Sequence, residues 1–128
     1  MIDYGFVKEL DLSFDEVLVR VTEVLKREGF SVLTRIDVQQ KFREKLGIYF
    51  PRYTILGACN PGFAHKAIIA EENIGLMLPC NVLVYEKEGK TILAVIRPTV
   101  AMRMVSNEEL EKIALAVETG LKSVFDSV

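Results

Sequence analysis

The chain has 128 residues, of which half are hydrophobic and 27% are charged, and its formal net charge is −2. This length is typical of one domain with one hydrophobic core, so we expect residues 1–128 to form a single domain. With 16 basic and 18 acidic residues, the chain has no overall positive charge to attract nucleic acid, and we expect no nucleic-acid partner.

The sequence contains no recognisable targeting or membrane segment. Residues 1–5 lack the basic start and long apolar stretch of a signal peptide. The longest apolar segment, residues 74–85, is interrupted by Pro79 and Asn81 and falls short of the roughly 18 residues that a membrane helix needs. We therefore expect a cytoplasmic protein with no membrane partner, whose two cysteines are reduced thiols.

Strands and helices alternate through the first half of the chain. The pattern predicts a strand over residues 2–10 and an amphipathic helix over residues 14–28. Ser13 and Glu16 have the spacing of a capping box at the start of that helix, and Gly29 is typical of a helix end. A strand over residues 30–37 and a short helix over residues 38–46 follow, the latter rich in strong helix formers.

The second half begins with a predicted strand over residues 53–59. Asn60 is expected to cap a helix over residues 61–72, with Pro61 at its first position. Strands over residues 80–87 and 91–97 are joined by a short hairpin connection that contains glycine. Residues 98–105 are predicted to be a loop. Ser106 and Glu109 are then expected to form a second capping box for a helix that reaches the C-terminus.

The resulting order is β-α-β-α-β-α-β-β-α. It predicts an α+β fold in which an antiparallel sheet has helices packed on one face, because each long helix has a single apolar stripe. The opposite face of the sheet then needs a cover of its own or a partner. This requirement favours a homodimer.

Most motifs that carry known chemistry are absent. The chain has no glycine-rich phosphate-binding motif, no GxSxG or HExxH and no CxxC pair, and its only histidine is His65. A site built on two histidines is therefore excluded. The sequence identifies no cofactor and no catalytic residue, and it weighs against an enzyme.

Two Cys-Asn pairs stand at predicted strand boundaries. Cys59-Asn60 ends one strand, and Cys80-Asn81 begins another. If the two strands are antiparallel neighbours, both pairs lie at the same edge of the sheet. A cleft lined by thiols, amides and nearby glycines suits a small molecule. A structural role is also open, since Asn60 can cap its helix and Asn81 can cap a turn or adopt a left-handed conformation.

Three other hypotheses remain open. Cys59 directly precedes a helix N-terminus, whose partial positive charge favours a reactive thiolate, although a free cysteine is more often a small buried apolar side chain. Cys59, His65 and Cys80 could supply three metal ligands, with Asp37 or Glu71 as a fourth, but this spacing matches no known zinc pattern and we expect no metal. The last alternative is a structural or interaction module that has no ligand.

The two blocks that contain the Cys-Asn pairs, ILGACNP at residues 55–61 and GLMLPCNV at residues 75–82, carry a family resemblance. Together with residues 30–38 and Lys45-Leu46-Gly47, they resemble the bacterial and archaeal proteins of the domain of unknown function 302 family. The resemblance spans nearly the whole chain. It implies a TATA-binding-protein-like α+β fold and a homodimer, and it brings no established activity, substrate or cofactor.

The same resemblance implies a set of candidate ligand-binding positions, namely Asp37, Cys59, Asn60, Cys80 and Asn81. This chain departs from the family pattern after its last strand. Many relatives carry an acidic residue before the proline at that point, where this chain has Arg97-Pro98. A site that used that acidic residue would differ here.

Overall fold

The computed structural model describes residues 2–128, and its framework is a five-stranded sheet. The strands are β1 (Gly5–Leu10), β2 (Ser31–Asp37), β3 (Tyr53–Cys59), β4 (Cys80–Lys87) and β5 (Lys90–Ile96). They lie in the order β1-β5-β4-β3-β2, and every neighbouring pair is antiparallel. The predicted antiparallel α+β fold is confirmed.

The helices are α1 (Phe14–Arg27), α2 (Val38–Leu46), α3 (Pro61–Ala70), α4 (Pro98–Ala101) and α5 (Glu108–Ser127). The predicted helix over residues 61–72 ends earlier, and a 3₁₀ helix over Glu72–Met77 follows it. The prediction of a loop over residues 98–105 is wrong at its start, where α4 forms. There the backbone N–H of Thr99 donates to the Glu118 carboxylate, a long-range contact that the local sequence does not reveal.

Two of the three predicted helix caps, Ser13 and Asn60, are confirmed. Ser13 accepts a hydrogen bond from the backbone N–H of Glu16 at 3.1 Å, and Asn60 accepts one from Phe63 at 3.2 Å. The prediction of Ser106 as the cap of α5 is wrong, because Asn107 holds that position. The Asn107 amide also donates to the carbonyl of Ala70, so a contact between α5 and the end of α3 decides which residue caps the helix.

The main hydrophobic core lies between the sheet and the helices α1 and α5. Alternate side chains of the central strands enter it, including Leu56, Val82, Val84, Leu93 and Val95. On the helices the buried residues follow the spacing of one apolar face, and they are Phe14, Val17, Leu18, Val21, Val24, Leu25, Leu121, Val124 and Phe125. The central strands are therefore covered on this side by α1 and α5.

Side chains of a strand alternate between the two faces of its sheet, so the intervening residues of these strands lie on the opposite face. The antiparallel register pairs Tyr53 with Tyr85 and places Ala94 beside both Leu83 and Val7. We call this surface, defined by Val7, Tyr53, Leu83, Tyr85 and Ala94, the open face. Tyr53, Leu83, Tyr85 and Ala94 are partly exposed there, and Val7 is exposed.

A second, smaller hydrophobic cluster packs α3 against α5 at one end of the sheet. Its buried residues are Ala67, Ile74, Met102, Leu110, Ile113 and Ala114. None of the helices within residues 2–128 is both long and apolar enough to cross a membrane.

Because Gly57 in β3 has no side chain, Thr34 and Pro79 pack directly against its backbone. A Cβ atom there would overlap Thr34 Oγ1 and would lie 2.6 Å from Pro79 Cγ. We predict that Gly57→Ala lowers the free energy of unfolding by about 1–3 kcal/mol, the usual cost of overpacking. Urea unfolding monitored by circular dichroism measures this change. Gly75→Ala is the control, because nothing lies within 4 Å of its Cβ position. If the two variants have the same free energy of unfolding, the close packing at Gly57 does not limit the side chain there.

Candidate functional site

The structure brings the two cysteines together. In the register of β3 and β4, Ala58 pairs with Cys80, so Cys59 is one residue from the partner of Cys80. Cys59, Asn60 and Cys80 all line one cavity between the sheet end and the cluster of α3 and α5. The volume of this cavity is about 30 Å³, which is room for one or two water molecules and not for an organic ligand.

Both thiols are protected by their apolar surroundings. Burial raises the pKa of the Cys59 thiol, and it raises the pKa of Cys80 from 9.0 to about 11. This burial disfavours the thiolate that the N-terminus of α3 would favour at Cys59. At neutral pH both side chains are thiols, which are weak nucleophiles and weak metal ligands.

Asp37 and His65 lie away from the cavity. Asp37 pairs with Thr54 at the far end of β3, five strand residues from Cys59, or roughly 17 Å at the rise of a β-strand. There its carboxylate caps α2 by accepting a hydrogen bond from the backbone N–H of Gln40. His65 is exposed on α3 and does not line the cavity. Within residues 2–128, no group of three His, Cys, Asp or Glu side chains is placed to hold a metal ion.

Asn81 and its neighbour Cys80 lie on opposite faces of the sheet, because successive side chains of a strand alternate between the two faces. Cys80 is buried in the main core, whereas Asn81 is exposed on the other side of the sheet. The prediction that Asn81 caps a turn or adopts a left-handed conformation is wrong, because it is the second residue of β4. Of the five candidate positions, the structure brings Cys59, Asn60 and Cys80 to one cavity and places Asp37 and Asn81 elsewhere.

Asn81 lies in a cleft on the open face that is much larger than the cysteine cavity. The volume of this cleft is about 710 Å³. Its lining spans β1, β3, β4 and β5 and consists of Ile2, Tyr4, Gly5, Val7, Tyr53, Asn81, Leu83, Tyr85, Ala94, Val95 and Ile96. No charged side chain is among these residues. The cleft is therefore a largely apolar surface with a few hydroxyl and amide groups.

Aromatic rings form a continuous row that leads into the cleft. Phe42 on α2 contacts Phe50 edge-on, with ring centroids 4.9 Å apart, and Phe50 contacts Tyr53 at 6.3 Å. Tyr53 stacks on Tyr85 with a centroid distance of 5.1 Å and an interplanar angle of 20°. Burial and the neighbouring Tyr85 and Tyr4 raise the pKa of Tyr53, so its phenol is neutral at physiological pH.

Sequence reasoning from the Cys-Asn pairs did not identify the tyrosines of this cleft. A signal for them is present in the strands themselves. The segments NVLVY in β4 and TILAV in β5 are apolar at nearly every position, whereas a strand with one solvated face alternates polar and apolar residues. This pattern indicates a sheet with two apolar faces.

Arg97 forms part of a polar cluster next to the last strand. Its Nε donates to Glu118 Oε2 at 3.2 Å, and the same carboxylate accepts hydrogen bonds from the backbone and hydroxyl of Thr99. Arg97 also donates to the carbonyl of Asp3. Glu118 is buried, so Arg97 neutralises it and ties the N-terminal segment and α4 to α5. In this chain the position is a structural ion pair.

Comparison with known families now identifies the chain. The family model described as "Domain of unknown function DUF302" matches residues 6–128. The chain belongs to the DUF302 family. Among solved structures it is similar to "uncharacterized conserved protein DUF302 from Bacillus stearothermophilus", with 31% sequence identity and a TM-score of 0.91. That match covers 98% of each chain. No curated protein matches this DUF302 member.

The raised pKa of Cys59 gives a prediction for its alkylation by iodoacetamide. Because the thiolate is the reacting form, the rate should be below that of glutathione at pH 7 and should keep rising above pH 9, where a free thiol levels off. Mass spectrometry of the labelled peptides measures the rate.

Cys80 provides the internal comparison for this experiment. It is 7% exposed, so it should label only after the protein is unfolded in guanidinium chloride. If Cys59 reacts at pH 7 faster than glutathione does, its pKa is not raised, and the result would favour a reactive thiol.

Proposed function

We propose that this DUF302 protein is a homodimeric small-molecule-binding domain whose ligand occupies the cleft on the open face. The observation that carries the proposal is the cleft itself. Its volume of about 710 Å³ falls within the roughly 300–1,000 Å³ of typical ligand sites, and its lining is mainly apolar with a few polar groups.

Of the four residues in the two Cys-Asn pairs, only Asn81 lines the proposed ligand cleft. Asn81 lines the cleft and offers its exposed amide there. Cys59, Asn60 and Cys80 line the cavity of about 30 Å³, which is too small for a metabolite. We assign these three residues to packing and helix capping at the sheet end.

The exposure of apolar side chains around the cleft supports binding of some kind. Tyr4 is 58% exposed and Val7 is 44% exposed, although both lie next to other apolar residues of the open face. Contiguous exposed apolar surface on a soluble domain marks a site of interaction. Burial of this surface by a ligand gains roughly 25 cal/mol for each Å² of apolar area removed from water.

The thiol and metal alternatives have less support from the geometry. A redox or nucleophilic cysteine needs a lowered pKa, whereas burial raises the pKa of both thiols. A zinc site needs three or four ligands within bonding distance, and Cys59, His65 and Cys80 do not converge.

Binding in the cleft is tested with N-phenyl-1-naphthylamine, a neutral dye whose fluorescence rises in apolar sites. We predict saturable binding to the wild type and at least tenfold weaker binding to Leu83→Lys, because the variant places a charged group in the apolar cleft.

Leu115→Lys is the matched control, since Leu115 is 60% exposed on α5 and lies outside the cleft. Thermal unfolding of both variants establishes that each is folded. Equal loss of dye binding in the two variants, or no saturable binding to the wild type, would refute the proposal.

We place the dimer contact around the rims of the cleft. Ile48 and Tyr49 are 47% and 80% exposed and directly precede Phe50, whose ring contacts Tyr53 of the cleft. Ile2 and Tyr4, which line the cleft, are exposed as well. A second copy that covers these rims would enclose the ligand and remove apolar surface from water. We predict that light scattering at micromolar concentration gives twice the mass of one chain. The mass of a single chain would refute this part of the proposal.

A further inference from the structure

The chemistry of the cleft, if it is the ligand site proposed above, limits the class of molecule that it takes. We infer that the ligand is an uncharged, flat aromatic molecule with a hydrogen-bonding group at one end. Three features of the lining lead to this class: its lack of charge, its stacked tyrosines and the position of Asn81.

The first feature is electrostatic. The lining residues are aliphatic side chains, tyrosines, one glycine and one asparagine. A carboxylate, phosphate or ammonium group entering this cleft would lose water without gaining an opposite charge, which disfavours its binding. The phenol of Tyr53 does not supply a charge either, because burial raises its pKa. Neutral ligands escape this penalty.

The second feature is the aromatic surface. Tyr53 and Tyr85 stack at 5.1 Å with an interplanar angle of 20°, so neighbouring rings lie nearly parallel on the floor of the cleft. A third ring placed against this pair gains offset-stacking or edge contacts in addition to the apolar area that it buries. A saturated ring of the same size buries similar area without that gain. The floor therefore favours aromatic over aliphatic ligands.

The third feature is the separation of polar and aromatic groups. Asn81 is four residues from Tyr85 along β4, which corresponds to roughly 13 Å at the rise of a β-strand, and Leu83 lies between them on the same face. The exposed amide of Asn81 can both donate and accept a hydrogen bond. A ligand that spans this distance has a ring system near the tyrosines and a hydroxyl, carbonyl or amide near Asn81.

A panel of four small probes separates these features. 2-Naphthol is neutral and aromatic, decahydro-2-naphthol is its saturated analogue, and naphthalene-2-sulfonate and 2-(aminomethyl)naphthalene carry a negative and a positive charge. Isothermal titration calorimetry of the wild-type protein, at a pH below 8, gives each affinity. We expect 2-naphthol to bind at least fivefold more tightly than each of the other three.

Variants connect these preferences to named residues. Tyr85→Leu should bring the affinity ratio of 2-naphthol to decahydro-2-naphthol close to one, whereas Tyr85→Phe, which keeps the ring, should preserve the ratio. Asn81→Leu should weaken 2-naphthol binding several-fold and leave the binding of 2-methylnaphthalene unchanged. Leu115→Ala, outside the cleft, should change none of these values.

The outcomes distinguish this inference from the proposed function. If decahydro-2-naphthol or a charged probe binds as tightly as 2-naphthol, and Leu83→Lys removes that binding, the cleft is a ligand site and the aromatic, neutral class is wrong. If none of the probes binds the wild type, the proposed ligand site itself is refuted. If Tyr85→Leu keeps the full preference for 2-naphthol, the stacked tyrosines are not its source.

Discussion

Both long helices of this fold, α1 and α5, cover the same face of the sheet. This one-sided packing determines which apolar residues are buried and which remain partly exposed. The covered face has the buried aliphatic residues of the main core. The other face has Tyr53, Leu83, Tyr85 and Ala94, which are partly exposed. When both long helices cover one face of a sheet with two apolar faces, the other face leaves apolar surface exposed, and covering that surface is favourable. The proposed ligand and the proposed dimer are both ways to provide that cover.

Local signals in the sequence predicted most of the fold, and long-range contacts account for the errors. Ser13 and Asn60 cap their helices as expected, because each capping hydrogen bond joins residues only three positions apart. Asn107 displaces Ser106 as a cap through its bond to Ala70, and Glu118 stabilises the start of α4 from a position some twenty residues away in the chain. Neither contact can be predicted from the residues that surround the helix start in the sequence.

The candidate site was harder to predict than the fold. The sequence placed two Cys-Asn pairs at strand ends, and the antiparallel register of β3 and β4 does bring Cys59 and Cys80 to one cavity. The size of that cavity depends on how α3 and α5 pack over it, which the sequence does not specify. Alternation along β4 sends Asn81 to the other face, so adjacent residues of one motif belong to different surfaces. The proposed binding surface depends on tyrosines that are far apart in the chain and become neighbours only through strand pairing.

In the proposed function, the ligand lies on the open face and not in the cysteine cavity. The most direct measurement is a high-resolution crystal structure of the protein purified from cells without unfolding or extensive dialysis. We predict electron density of a small molecule against Tyr53 and Tyr85 in the cleft. Density bonded to Cys59 or Cys80, or an open face filled entirely by side chains of a second copy, would contradict it.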